Sequence, residues 1–280
     1  MFVDSVDGVR LAVHELAGDS SLPPLLVSHA TGFHARCYQP VADELAERFH
    51  VWGVDHRGHG ASTIPADWIV DWSRFGVDTV RVAETVAPDG GLVGIGHSMG
   101  GASLLMAAHA RRDLFDRLVL FEPIATPPVT SDLAGIDRRQ LPIVQGALRR
   151  RRTFPSRADA VANYAEKPPL SLMEPAALQN YVEYGFRDAV DDAGHSLVEL
   201  CCEPEYEAEI FMGGRDNGVW ELLSEIETSC IIVGGEVLER QPSSNTEAVA
   251  DRLPNGKYVL EAHQTHFGPF SHPAELAALV

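Results

Sequence analysis

Ser98 lies in Gly96-His97-Ser98-Met99-Gly100, a G-x-S-x-G run. A hydroxyl in that setting is a candidate nucleophile for acyl transfer. The glycines two residues to either side remove side chains that would collide at a sharp bend, and Gly101 and Ala102 let a following helix approach its sheet closely. The serine hydroxyl would then stand clear of the sheet, and the Met99 amide would sit at the positive end of a helix. A serine is a weak nucleophile until a base takes its proton, so one of the twelve histidines must reach it. His97 is excluded from that role because neighbouring side chains at a sharp turn diverge.

The chemistry requires a strand before Ser98 and a helix after it, and the surrounding pattern supplies both. Gly91–Gly96 reads as an interior strand and Ala102–Arg111 as a small-residue helix. Upstream, Arg10–Glu15, Leu25–Ser28 and His50–Asp55 read as strands, with helical spacing over Pro40–Phe49 and Val77–Val86. Leu118–Phe121 is the next strand, and strand character returns at Ser229–Gly234 and Lys257–Leu260 before a last helix near Pro273. This alternation predicts an α/β protein with a mostly parallel sheet covered by helices on both faces. Residues 124–217 break the rhythm, with little strand character and several prolines, and read as a mainly helical insertion. The predicted division is a core of residues 1–123 and 218–280 with an inserted cap at 124–217.

With 280 residues and 45 % hydrophobic composition the chain can bury a large core, which excludes a disordered or collagen-like protein. A formal charge of −18 disfavours nucleic acid and anionic membranes as partners. Cys37, Cys201, Cys202 and Cys230 are unevenly spaced, form no CxxC pair and read as reduced thiols. The N-terminus carries no secretory signal pattern and there is no run of eighteen apolar residues, so a soluble cytoplasmic protein is expected. The expected partner is a small-molecule ester, and a homodimer is left open.

Over nearly its whole length the chain resembles the α/β-hydrolase superfamily. The motifs that carry the resemblance are His29-Ala-Thr-Gly32, Asp55-His-Arg-Gly-His-Gly60, the turn at Ser98, an inserted cap, and a C-terminal His266-Phe-Gly-Pro-Phe270. The resemblance implies the α/β-hydrolase fold, hydrolysis without a cofactor or metal, and His266 as the base, with Thr265 where a glycine is usual. It implies one oxyanion donor at the Met99 amide and another in the loop after Leu25–Ser28, where the usual His-Gly pair appears as His29-Ala30. That second donor is the amide of Thr31, with Ala30 as the alternative, and His29 would brace the loop.

Members of the superfamily commonly carry the acid in a G-x-x-D arrangement after the strand that follows the cap. Here that stretch is Gly235-Glu-Val-Leu238, and leucine cannot orient an imidazole. Others, including dehalogenase-like members, carry the acid after the strand that precedes the cap, which here ends Leu120-Phe121-Glu122-Pro123. Glu122 is therefore the expected acid, at a strand's carboxyl end where open sheets place functional groups. Glu236, Glu239 and Asp216 are the alternatives.

Phe33 and His34, beside the oxyanion loop, are candidate substrate contacts. So are Trp68, Trp72, Phe154, Tyr164, Tyr181, Tyr184, Phe186 and Trp220, most of them expected to pack. His56 and His59 have no third ligand in sequence and read as part of a structural turn. The run Arg149–Arg152 reads as a solvated helix face. The expected activity is a carboxylesterase-like serine hydrolysis of a small or medium ester. The same residues could serve a lactonase, a carbon–carbon bond hydrolase, or a receptor-like ligand-binding member with little turnover. Ser98 disfavours a dehalogenase or epoxide hydrolase, which need a carboxylate at that position.

Overall fold

The computed structural model of the chain describes residues 1–65, 67–128 and 137–280. Eleven strands and eleven α-helices are assigned among them. Strands β1 (Phe2–Asp4), β2 (Arg10–Ala17), β3 (Pro24–Ser28), β4 (His50–Val54), β5 (Leu92–His97) and β6 (Phe115–Phe121) precede the insertion. Within it lie β7 (Thr153–Phe154), β8 (Phe186–Val190) and β9 (Ser196–Leu200), and β10 (Ser229–Gly234) and β11 (Gly256–Leu260) follow. The main sheet has the order β1-β2-β4-β3-β5-β6-β10-β11. It is antiparallel where β2 meets β1 and β4, and parallel everywhere else. Every residue of β5 is buried, as a central parallel strand covered on both faces requires.

Helices α1 (Gln39–Leu45), α2 (Ser73–Val86) and α3 (Met99–Ala110) precede the insertion. Helices α4 (Pro142–Leu148), α5 (Arg157–Ala165), α6 (Pro175–Gly185) and α7 (Pro204–Gly213) lie within it. The chain closes with α8 (Val219–Leu222), α9 (Thr246–Arg252), α10 (Gly268–Ser271) and α11 (Pro273–Ala278). Two apolar clusters flank the sheet. One gathers Phe75 and Val82 of α2 with Leu104 and Leu105 of α3, and the other gathers Val41 and Leu45 of α1 with Leu276 of α11. Each such fully buried leucine or valine stabilises the fold by about 1.5–3 kcal/mol relative to exposure. The helix after Ser98 begins at Met99, earlier than its apolar spacing predicts, because Gly100 and Gly101 let the first turn press against the sheet. A methyl group on Gly100 would fall 2.0 Å from the Ser28 carbonyl oxygen.

The insertion is mainly helical, and it also holds strands that the sequence did not announce. Between β6 and β10 it carries α4–α7 and also an antiparallel sheet in the order β7-β9-β8. The cause is a hairpin: Val190 pairs Ser196 and Phe186 pairs Leu200 across a turn containing Gly194 at φ 85°. The Arg149–Arg152 run is corrected too. Helix α4 ends at Leu148, so these residues lie beyond it, and Arg150 folds inward to pair with Glu207 and the Tyr181 hydroxyl. Arg151 lies over the Phe154 ring and Arg152 pairs with Glu205. Residues 129–136, within the predicted insertion, lie outside the described residues.

The insertion's stems are stitched to the sheet. Ile124 donates its N–H to the Ser98 carbonyl at 3.1 Å and accepts from Asn217 Nδ2 at 2.7 Å on its own carbonyl. Among the described residues no helix is long and apolar enough to cross a membrane.

Candidate active site

Parallel register brings the carboxyl ends of β3, β5, β6 and β10 side by side: Ser28 faces Gly96, and Phe121 pairs with both His97 and Val233. Whatever leaves these four ends meets in one crevice. The residues that do so are the loop after Ser28, Ser98 after β5, Glu122 after β6, and Gly235 after β10.

Ser98 sits at φ 55° and ψ −116°, a left-handed backbone that an L-residue adopts only at a cost, and its N–H donates to the Phe121 carbonyl at 3.0 Å. Glu122, the next residue on β6, also has a positive φ, 44°, and is 1 % exposed. Its Oε2 lies 2.6 Å from His266 Nδ1, and its Oε1 accepts the Gly235 N–H at 2.9 Å. A carboxylate held at both oxygens has one orientation left. That orientation fixes the imidazole with Nδ1–H donating to Glu122 and Nε2 available as a base. Gly235 is needed for this grip, because a Cβ there would fall 2.6 Å from the Gln264 carbonyl and 3.0 Å from Glu122 Oε1.

The other candidates for the acid lie elsewhere. Glu236 and Glu239 are exposed, Leu238 is 45 % exposed, and Asp216 pairs with Arg138 on the surface. His266 comes from the loop between β11 and α10, and its ring lies 4.7 Å, centroid to centroid, from that of His97. Ser98 Oγ and His266 Nε2 are not hydrogen-bonded to each other here. Such contacts are commonly long until substrate is bound.

The hydrogen bonds of the loop after Ser28 decide which amide is free. Ala30 donates its N–H to the Tyr38 hydroxyl at 3.1 Å, Gly32 to His59 Nε2 at 3.1 Å, and Phe33 to the Ala30 carbonyl at 3.2 Å. Among the described residues Thr31 N–H has no such partner, nor has Met99 N–H at the start of α3. Ala30, the alternative donor, is therefore already engaged.

Histidines hold this loop in shape. His29 Nδ1 bonds the Ala30 carbonyl at 2.7 Å and its Nε2 accepts the His56 N–H at 2.9 Å. His56 Nε2 meets the Ser28 hydroxyl at 2.8 Å, and His59 Nδ1 meets the Arg57 carbonyl at 3.0 Å. Burial pushes His29 well below the usual imidazole range, His56 down to about 3 and His59 down to about 4. All three are neutral at pH 7, and His29 and His59 each accept a backbone N–H, which a doubly protonated ring could not do at that nitrogen.

Sequence reasoning missed Tyr38, whose hydroxyl bonds both the Ala30 amide and His97 Nδ1, the latter at 2.7 Å. It missed Gly235 as the second partner of the acid, although the Gly234-Gly235 pair was a visible signal. It also missed the Arg150–Glu207 pair, which seals the insertion against the loop: a methyl group on Gly32 would fall 2.3 Å from Glu207 Oε1. Phe33 stacks on Phe270 at 4.6 Å and meets Tyr181 at 5.3 Å. His34 is buried, with Nε2 3.3 Å from the Tyr181 carbonyl. Both line a cavity of about 10 Å³ between loop and insertion, room for about one water. Of the expected aromatics, Phe154, Tyr164, Tyr181 and Phe186 are buried in one cluster, whereas Tyr184 is exposed and meets Arg36.

Comparison with known proteins bears on the family and the fold. A family model described as "Alpha/beta hydrolase family" matches residues 25–279. Monoglyceride lipase of Mus musculus is 32 % identical over 130 residues, 43 % of this chain and 42 % of that protein, so the match spans about two-fifths of the relative's length. Among solved structures, E-2-(acetamidomethylene)succinate hydrolase superposes with a TM-score of 0.76 at 20 % identity, covering 100 % of this chain and 98 % of that one. A thermophilic esterase from Thermogutta terrifontis gives 0.69 at 20 % identity, covering 100 % and 95 %. At that identity the two structures speak to fold alone.

Proposed function

The chain belongs to the alpha/beta hydrolase family, and from that membership we propose that it is a serine hydrolase that cleaves a carboxylic ester through an acyl-enzyme. The observation that carries the reading is the two-sided grip on Glu122, which aims His266 at the crevice beside Ser98. Ser98 Oγ attacks the ester carbonyl carbon while His266 Nε2 takes its proton. The imidazolium so formed is stabilised by the Glu122 carboxylate at Nδ1. The oxyanion is received by the N–H groups of Met99 and Thr31, a role supported by their having no other hydrogen-bond partner among the described residues. Collapse expels the alcohol, which takes the proton back from His266. Water then attacks the acyl-enzyme with the same base and the same oxyanion donors.

We read the segment between β6 and β10 as a cap. It supplies Tyr181 and the Arg150–Glu207 pair against the oxyanion loop, and a cover so placed suits a small or medium ester better than a polymer. The match to monoglyceride lipase supports an ester substrate.

Labelling with a fluorophosphonate, followed by an ester panel of graded acyl length, tests the proposal. Wild-type protein should label stoichiometrically and turn over at least one ester, and Ser98→Ala should do neither while melting like the wild type. Labelling without turnover on any ester would move the reading to a lactone or carbon–carbon substrate or to a ligand receptor. Labelling that persists in Ser98→Ala would end it.

A further inference from the structure

We propose that His263, His272 and Glu275 form a binding site for a divalent transition-metal cation of the zinc type, which ties the loop carrying His266 to the C-terminal helix. The proposal rests on these three side chains and stands independently of the hydrolytic reading. One nitrogen of each imidazole and one carboxylate oxygen all lie within 4.8 Å of one another. His263 Nε2 is 2.9 Å from Glu275 Oε2, and the two imidazole rings meet edge to face at 5.1 Å.

A surface His–Glu pair alone would be unremarkable; His272 changes the argument. It is a second imidazole converging on the same carboxylate, and it hydrogen-bonds neither partner. Each ring also has its other nitrogen turned towards a neighbour, His272 Nδ1 to Ser271 Oγ at 2.8 Å and His263 Nδ1 towards Glu261 Oε2 at 3.9 Å. That leaves Nε2 of both rings for a cation and places a carboxylate behind one of them, as outer-shell partners of histidine ligands are placed. Glu275 accepts from Gln264 Nε2 at 2.7 Å, which holds its carboxylate in place beside the two rings.

Two imidazoles and a carboxylate suit zinc, whose ligands stand about 2.0–2.2 Å from the ion and so about 3.3–3.5 Å apart in a tetrahedron. His263 and Glu275 are closer than that, at hydrogen-bond distance, and part slightly to admit an ion. The ligand atom of His272, on the turn before α11, lies within 4.8 Å of theirs. Water completes the coordination.

The test uses the full chain stripped with chelator. Zinc chloride titrated by calorimetry should bind one equivalent and raise the melting temperature. Glu261→Gln should weaken binding by about tenfold, the lower end for an outer-shell partner. His272→Gln should lose the binding and the thermal shift while keeping the metal-free melting temperature. Cobalt(II) in place of zinc should give the visible absorption of a tetrahedral nitrogen–oxygen site. No binding by the wild type, binding unchanged in both His272→Gln and His263→Gln, or a thiolate-to-cobalt charge-transfer band would overturn the proposal.

Discussion

At the scale of single residues the proposal turns on what grips the imidazole. Glu122→Gln keeps the shape of the side chain and loses the charge that fixes the tautomer of His266. Turnover should fall about 10³–10⁴-fold with little change in stability, as expected when a triad orienter is neutralised. Glu236→Gln and Glu239→Gln should stay within a factor of two, and a steady-state comparison on one ester separates the cases. Gly235→Ala attacks the same grip from the other side. Its methyl group must push either the Gln264 carbonyl or Glu122, so kcat should fall by at least tenfold while the aspect of the fold reported by circular dichroism is unchanged. Much at this scale was legible. Ser98 and His266 declare themselves by their neighbours, and Leu238 in place of an aspartate pointed to Glu122. Tyr38 was not legible, because nothing in a single sequence says that a tyrosine at the entry to α1 will reach a histidine 59 positions later.

Among the elements, the oxyanion loop depends on contacts made by others. Tyr38 reaches from the entry of α1 to the Ala30 amide and to His97 on β5, whose Nε2 is buried without a partner. Tyr38→Phe leaves two buried polar groups unsatisfied, which should cost about 1–3 kcal/mol for each in a urea melt. The loop should loosen as well, lowering kcat more than it raises KM. The strands of the main sheet were legible as short apolar runs of the right length. The β8–β9 hairpin was not, because Arg187-Asp-Ala-Val and Ser196-Leu-Val-Glu show one exposed face to solvent and too few buried positions to stand out. Arg150 was misjudged for a related reason: an arginine run says nothing about which member a distant Glu207 will draw inwards.

For the whole molecule, five buried histidines set the response to acid. His29, His34, His56, His59 and His97 are held below the usual imidazole range by burial, His59 to about 4 and His56 to about 3. Unfolded, each would titrate near 6.5. Below that pH the unfolded chain takes up protons that the folded chain refuses, so stability falls as pH drops from about 6.5 towards 4. Each histidine contributes a slope of up to about 1.4 kcal/mol per pH unit within this window. Urea melts at pH 7, 6 and 5 should record the decline, and His59→Gln should make it shallower by about a fifth. A flat profile would mean that these rings charge in place. The fold class was legible from alternation alone, whereas this pH response was not, since burial of a histidine is a property of the assembled molecule. One last consequence comes from the stems. Three residues beyond the end of β6 the polypeptide reaches Ile124, which is bonded to the backbone of Ser98 and to Asn217 on the returning stem. On the proposed reading of the segment as a cover, its opening would pull on the residue that grips the imidazole, joining admission of a guest to readiness for attack.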